Sequence, residues 1–491
     1  MRSVRFFVLL IVFALVAAAC SSGSDDTTTT ATAETETTTT TETAETTTTE
    51  TSEPSAETVT TIPGPDGTVF VLDADSGFEV CGYDKDELVS PAPPSVVWEI
   101  LDDHGISVEM LEPDDERPFP LPVGLNAYIL TDAEPNPVFA SSLLLMKNIP
   151  ASPRHIVMPA ARWKFGPADE AAAATPSEYH EYAPNQLTDA SGDTVVVIDT
   201  GSAPSPFPGA FAEAWTGLLT DPAPNPMEPE PAGMDETFFG HGVFVAGVVR
   251  QLMPGTSVSI RSATYGRGGT TVFDEHSVVR AISAAVDGEL RKSDDELNEA
   301  EKGGGVVNLS LGTYACAEDQ IPLELAVYLG GIAASPESES PNNDIVFVAA
   351  AGNDGEDPGY QPFWPAGFAD RAVLEERMAS WYYADYPEFA DAMAALLGGS
   401  PIILGVGALE SGTASPAPFS NWAGATVWAP GTEVVSTYPD WDGFARWSGT
   451  SFAAPFVSAM IAGCRGGSTY RDSLAQFIAD PPLTLTDPTC P

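Results

Sequence analysis

The sequence predicts an α/β protein, with a mostly parallel sheet, helices on both its faces, and a small α+β domain ahead of it. Three observations carry that expectation. Thr194-Val195-Val196-Val197-Ile198 is a continuous run rich in β-branched residues, suited to a central strand buried on both faces. Strand and helix signals then alternate along the chain, the pattern of a parallel sheet wrapped by helices. Finally, Ser448-Gly449-Thr450-Ser451 leads into an apolar run, 452–462, that reads as a tight turn entering a buried helix.

Taken in order, residues 1–19 have the layout of an export signal. Arg2 and Arg5 precede an apolar run over 6–16, and Ala17-Ala18-Ala19 stands before Cys20. Small residues directly before a cysteine resemble a bacterial lipobox, which implies cleavage after Ala19 and a lipid on Cys20. Family lipoboxes usually carry a larger aliphatic where Ala17 stands, and ordinary cleavage with release of a soluble protein is the alternative. Residues 20–61, rich in Thr and Glu, cannot bury apolar surface and are expected to form a disordered tether. Residues 62–166 read as the α+β region, with strands at 68–72, 106–111 and 126–131 and a helix at 95–103. His104 and His155 there stand alone, without a catalytic cluster around them. Residues 167–192 read as a linker, in which 168–183 could form a short surface helix. The α/β part is expected over 193–468, followed by a tail, 469–491. Within it, strands are expected at 194–199, 258–264, 306–312, 345–353, 402–408 and 432–436, and a helix at 277–286. Residues 367–399 interrupt the alternation as a helical insertion near the cleft.

Composition narrows the partners. The 491-residue chain carries 70 acidic and 20 basic side chains, a formal net charge of −50. Phosphate recognition needs clustered Lys and Arg, so nucleic acid is excluded as a partner. The acidity favours a self-repelling, soluble protein with basic ligands at its rim. Of five cysteines, Cys20 belongs to the export segment. Cys81, Cys316, Cys464 and Cys490 show no CxxC spacing for a metal and allow up to two disulfides, in three connectivities.

The chemistry concentrates in four turns. Asp199 ends the strand run, at the sheet edge where ligands of open α/β folds gather. His241 sits between Gly240 and Gly242 ahead of an apolar helical segment. Ser451 follows Gly449-Thr450, and Asn353 follows Ala350-Ala351-Gly352. A serine hydroxyl is a poor nucleophile until a base takes its proton; histidine suits that task, and a carboxylate fixes its tautomer. Asn353 and the Ser451 backbone N–H could stabilise the charge that develops on the carbonyl oxygen.

These segments resemble the signature segments of subtilisin-like serine peptidases, and the order Asp, His, Ser is that of subtilisin itself. The resemblance covers roughly residues 193–463 and implies a three-layer subtilisin-like fold. It implies Asp199 as orienting carboxylate, His241 as acid and base, Ser451 as nucleophile and Asn353 as oxyanion donor. It further implies that Ser310-Leu311-Gly312 and Ala350-Ala351-Gly352 line the substrate pocket. Phe363-Trp364-Pro365-Ala366 resembles the segment closing that pocket, and the bulk of Phe363 points to a restricted one. Many members carry Thr-His where this chain has Val243-Phe244, positions that support the helix. Ser-Phe-Ala-Ala-Pro after Gly449-Thr450 is also similar to the mycosin branch, whose C-terminal membrane helix has no counterpart here. Family members commonly begin with a removable prodomain. With a lipid on Cys20 upstream, residues 62–166 are then expected to be retained, through a Cys81–Cys316 disulfide, or to act as a release switch. No cofactor is expected for catalysis. Structural calcium fits family habit, but no ligand set can be chosen. The expected protein is a monomeric, exported, membrane-anchored endopeptidase acting on polypeptides. The alternative is a catalytically silent binding lipoprotein of the same fold.

Overall fold

A computed structural model describes residues 60–63, 68–72, 79–111, 121–159, 171–175, 178, 194–201, 218–220, 240–253, 256–263, 273–290, 304–317, 320–334, 344–355, 362–399, 401–439, 443–466 and 468–479. The export segment, Cys20, the tether up to residue 59, most of the linker and the end of the tail lie outside the described residues. Thr60 and Thr61, expected as the end of the tether, pair with the strand at 68–72 as part of a strand.

In the N-terminal region the elements are β1 (Thr60–Pro63), β2 (Thr68–Leu72), β3 (Glu79–Ser90), α1 (Pro94–Asp102), β4 (Val108–Met110), β5 (Asn126–Leu130), α2 (Pro137–Met146) and β6 (Ser152–Pro159). Within the linker, of which a short surface helix was one reading, Ala172–Ala173 forms a two-residue strand, β7. The α/β part begins with β8 (Thr194–Asp199), β9 (Leu218–Thr220), α3 (His241–Leu252), β10 (Ser257–Ser262), β11 (Phe273–Asp274) and α4 (Glu275–Ala285). It continues with β12 (Gly304–Leu309), β13 (Leu311–Tyr314), α5 (Leu323–Ala334), β14 (Asp344–Ala350), β15 (Phe363–Trp364), α6 (Arg371–Arg377) and α7 (Pro387–Gly398). The last elements are β16 (Ile403–Leu409), β17 (Val427–Pro430), β18 (Val434–Thr437), β19 (Phe444–Trp447), α8 (Thr450–Gly463) and α9 (Tyr470–Ala479). Ala172–Ala173 is a strand because it adds to β19, so backbone pairing overrides the helix preference of alanine there.

Seven strands form the central sheet in the order β17-β16-β14-β12-β8-β10-β9, and every pair is parallel. Its apolar residues alternate between two cores, as the period of a strand requires. Val195 and Val197 of β8, with Val346 and Val348 of β14, join the core containing α3 and α8. Val196 and Ile198, with Ile345 and Phe347, join the opposite core, with α4, α5 and α7. The fold is the three-layer α/β arrangement the sequence predicts.

The N-terminal region has its own small core, built from Leu88, Val97, Leu101, Tyr128, Leu130 and Leu144 among others. It is nevertheless continuous with the α/β part. A second sheet runs β1-β2-β3-β6-β13-β15, with β11 also paired to β6. Strand β6 therefore lies antiparallel between β11 and β13, in the register Phe273↔Val157 on one side and Leu311↔Pro159 and Gly312↔Met158 on the other. A disulfide joins Cys81 of β3 to Cys316, just past β13, the pairing expected for a retained N-terminal region.

Charge is buried where the two parts meet. Arg154 of β6 is ion-paired to Glu87 of β3 and, at 2.7 Å, to Glu324 of α5. Glu324 also accepts from His276 Nδ1 at 3.1 Å, while His155 lies 3.5 Å from Glu275. Of the two histidines of the N-terminal region, His155 is thus a buried core residue, and His104 is exposed and bonded to the Ile100 carbonyl. Residues 367–399 do form helices, but α7 packs on α5, and the Tyr382 N–H donates to the Asn148 carbonyl at 2.8 Å. The insertion braces α5 and the N-terminal region.

Candidate active site

The carboxyl edge of the central sheet gathers the candidate groups. Asp199 is the last residue of β8, His241 the first of α3, Ser451 lies in the first turn of α8, and Asn353 follows β14. Asp199, His241 and Ser451 are fully buried.

His241 Nδ1 donates to Asp199 Oδ1 at 2.8 Å, and the same oxygen accepts from the Thr200 N–H at 2.7 Å. A carboxylate only accepts, so Nδ1 carries the proton and the neutral ring offers its lone pair at Nε2. Nε2 makes no hydrogen bond. Thr200 Oγ1 accepts from the Gly242 N–H at 3.1 Å, tying the Asp199 and His241 turns together. Position 242 must be glycine, because a Cβ there would lie 2.9 Å from the Gly201 carbonyl oxygen and 3.1 Å from Asp199 Cβ. Two aromatic rings wall the imidazole: Trp447, edge-on at 5.5 Å, and Phe452 at 5.3 Å. Phe244 packs on both, at 5.8 and 4.6 Å. The departure at Val243-Phe244 therefore supplies packing behind the histidine.

Ser451 exchanges two hydrogen bonds with Ser310. Its hydroxyl donates to the Ser310 carbonyl at 3.0 Å, and its own carbonyl accepts from Ser310 Oγ at 2.7 Å. The second bond has a sequence cause. Pro455 lies inside α8 and has no N–H to offer the carbonyl four residues back, which is that of Ser451. Ser310 Oγ takes the place of that missing donor, so the proline is tolerated beyond the first turn of the helix. Ser310 is itself held by Asn308 Nδ2 at 2.9 Å, and Ser458 Oγ donates to Asn308 Oδ1 at 2.9 Å. The serine thus rests on a chain of buried hydrogen bonds running from α8 to β12.

Asn353 Oδ1 accepts from the Thr450 N–H at 2.9 Å and from Thr450 Oγ1 at 3.0 Å. A backbone donor leaves no ambiguity about which end of the amide is oxygen, so the opposite end is the donor, Nδ2. Ser310, which Leu311-Gly312 follows, is bonded to Ser451, and the Gly352 N–H, at the end of Ala350-Ala351-Gly352, donates to Thr450 Oγ1 at 3.1 Å. The free edge of β13 is taken by β6 of the same chain. Thr200, Thr450, Trp447 and Ser458 were not singled out by sequence reasoning. Pro455 is a signal in the sequence that the Ser451 carbonyl needs a donor from outside the helix, but not that Ser310 supplies it. Among the described residues, one carboxylate group, Asp84, Asp86 and Glu87, is close enough to hold a metal. Its Glu87 is ion-paired to Arg154.

The family model described as "Subtilase family" matches residues 191–467, more than half of the chain. The chain belongs to the subtilase family. Solved structures similar to it include a cold-adapted subtilisin-like serine proteinase, 19% identical over 60% of this chain and 84% of that one, with a TM-score of 0.37. The prenylagaramide maturation protease PagA is 21% identical over 56% and 75%, with a TM-score of 0.34. Fervidolysin from Fervidobacterium pennivorans, described as a keratinolytic enzyme related to subtilisin, is 16% identical over 78% and 55%, with a TM-score of 0.43. Within this subtilase, the matched span contains all four candidate residues.

Proposed function

We propose that this subtilase is a serine endopeptidase that cuts polypeptides through an acyl-enzyme. The observation that carries the reading is the 2.8 Å Asp199–His241 contact, which fixes the imidazole tautomer with Nε2 unbonded inside an aromatic wall. Ser451 leaves the Ser310 carbonyl, gives its proton to Nε2, and its Oγ bonds to the substrate carbonyl carbon. The oxyanion is met by Asn353 Nδ2 and by the Ser451 N–H, whose place in the first turn leaves it without a helical acceptor. Collapse breaks the C–N bond, and the departing amine takes the proton from Nε2. Water, deprotonated by the same nitrogen, then releases the acyl group and restores the serine. Replacing Asn353 by alanine is expected to lower kcat by about 10²–10³-fold with a smaller change in KM, the scale of one lost oxyanion donor in subtilisin. An unchanged kcat would remove Asn353 from the oxyanion site.

Substrates would lie as an extended strand along β13, the edge that β6 occupies. Residues 60–159 act in this reading as a resident cover of the cleft. The Cys81–Cys316 bond closes 235 positions of chain and contributes on the order of 5 kcal/mol in the chain-entropy picture. After any cut between Pro159 and Thr194 it would be the covalent link between cover and peptidase. Export, the lipid on Cys20 and attachment to the outer face of a bacterial membrane complete the proposal on sequence grounds. Peptide mapping without reductant is expected to recover Cys81 linked to Cys316, and a cut chain is expected to stay one species until a thiol is added. Cys81 found free, or paired elsewhere, would dismiss the retained cover.

A further inference from the structure

We infer that Phe363 plugs the pocket beside Ser451, so that the peptidase accepts only a small side chain, of the alanine class, on the acyl side of the cut. The inference rests on the endopeptidase reading and deepens it.

The reacting carbon must come within bonding reach of Ser451 Oγ. One neighbour of that atom is Ser310, whose carbonyl is 3.0 Å away. On the other side Thr450 is bonded to Asn353 at 2.9 Å and to the Gly352 N–H at 3.1 Å. The acyl-side side chain therefore enters between the Ser310–Gly312 segment and the Gly352–Asn353 turn. Both segments present a glycine there, which would leave a slot for a large side chain if nothing else filled it. Phe363 fills it. A Cβ on Gly312 would lie 2.5 Å from Phe363 Cε1, and one on Gly352 would lie 2.9 Å from Phe363 Cβ and 2.8 Å from the Tyr314 hydroxyl. One phenylalanine thus spans both walls and is 1% exposed.

The plug is held in place. Its ring packs on Tyr314 at 5.0 Å, and the two residues are paired across β13 and β15. The Tyr314 hydroxyl donates to Asp354 Oδ2 at 2.6 Å and accepts from Asn421 Nδ2 at 2.8 Å, while Asn421 Oδ1 takes the Asp354 N–H at 2.8 Å. Trp364, the next residue, is wholly buried. Swinging Phe363 aside would disturb a strand pair and a closed polar network, so a close-packed site of this kind rejects bulk instead of adapting to it. In sequence the residues after Pro159 are Ala160 and Ala161, members of the size class the plugged slot admits.

Diphenyl α-aminoalkylphosphonates test this on the full chain, because they carry the acyl-side side chain and need no outer subsites. Ser451 Oγ bonds to phosphorus, one phenoxide leaves, and the serine proton passes through His241 to give phenol. The alanine analogue is expected to inactivate roughly tenfold or more faster than the phenylalanine analogue. Phe363→Ala is expected to reverse or erase that preference by accelerating the phenylalanine analogue, with Phe363→Leu intermediate. A wild-type protein that reacts with the phenylalanine analogue as fast as with the alanine one overturns the inference, whether or not the variants fold. A generic alkyl fluorophosphonate separates the two levels. If it labels Ser451, the peptidase reading stands and the side-chain series alone judges the plug; if it fails to label, the peptidase reading falls and the plug with it.

Discussion

Ser451→Ala is expected to abolish fluorophosphonate labelling and to lower kcat by about 10⁶-fold, the scale measured for loss of the nucleophile in subtilisin. The size of the effect follows from the geometry. Asp199 and His241 remain paired without the hydroxyl, but the imidazole then has no oxygen to activate, and water is not held against the carbonyl. Folding should be little affected. The hydroxyl bonds to the Ser310 carbonyl at 3.0 Å, while the Ser451 carbonyl keeps its own bond from Ser310 Oγ at 2.7 Å. Loss of the single hydroxyl bond costs about 1 kcal/mol. Active-site titration with a thermal melt beside it reads both quantities. Undiminished labelling in the variant would mean that another residue is the nucleophile, and the assignment would be withdrawn.

Arg154→Ala is the second large effect, and it acts on stability. Arg154, Glu87 and Glu324 are all buried, and Arg154 is the cation between the two carboxylates. Truncation removes the cation shared by two buried carboxylates, a change that costs about 3–5 kcal/mol. Because Glu87 and Arg154 belong to the N-terminal region and Glu324 to α5, the loss should appear as undocking of that region, read by hydrogen exchange across β6 and β13 in a Ser451→Ala background. Lysine should not rescue, since an ammonium cannot present the guanidinium fork to two carboxylates at once. Unchanged protection of β6 would show that the cluster does not hold the cover.

The same cluster has a pH dependence of definite sign. Burial pushes Glu324 up, but Arg154 beside it and the hydrogen bond from His276 outweigh burial and hold it below the usual carboxylate range. Its contribution is present above the unfolded glutamate value of about 4.3 and is lost as pH falls through its lower folded value. Glu275 is the opposite case. Burial raises it, and the contacts from His155 offset that only in part, with Glu324 adding repulsion. Its folded form prefers the proton, so it weakens docking as pH rises above the unfolded value. Asp274 also faces Arg154. Docking should therefore be strongest in mildly acidic solution and fail at lower pH, when Glu324 is protonated. A melt series of the Ser451→Ala protein between about pH 3 and 8 measures it.

What could be read from the chain follows from local constraint. The run into Asp199 could only be a doubly buried strand. Glycines around His241 and before Ser451 mark turns where a backbone is crowded, and each of the four candidate residues sits at the element end expected of it. The helix at 95–103 and the strand at 68–72 were legible because their apolar spacing matches one period. Less legible was β6. Pro153 and Pro159 bracket it and Arg154-His155 open it, a charged start that reads as surface until Glu87, Glu275 and Glu324 are set around it. The linker strand, likewise, exists only because β19 offers an edge.

By itself, then, the sequence determined the layered α/β fold and named Asp199, His241, Asn353 and Ser451, since strand burial and tight turns are written within a few residues of each other. Tertiary structure alone decided three things. Ser310 Oγ replaces the donor that Pro455 lacks, Phe363 crosses from Gly312 to Gly352, and β6 lies on β13 with Arg154 buried behind it. Each joins positions distant in the chain, and the physical reason is the same: a missing hydrogen bond, an open slot or a buried charge is satisfied by whatever the fold brings near, which no local pattern records.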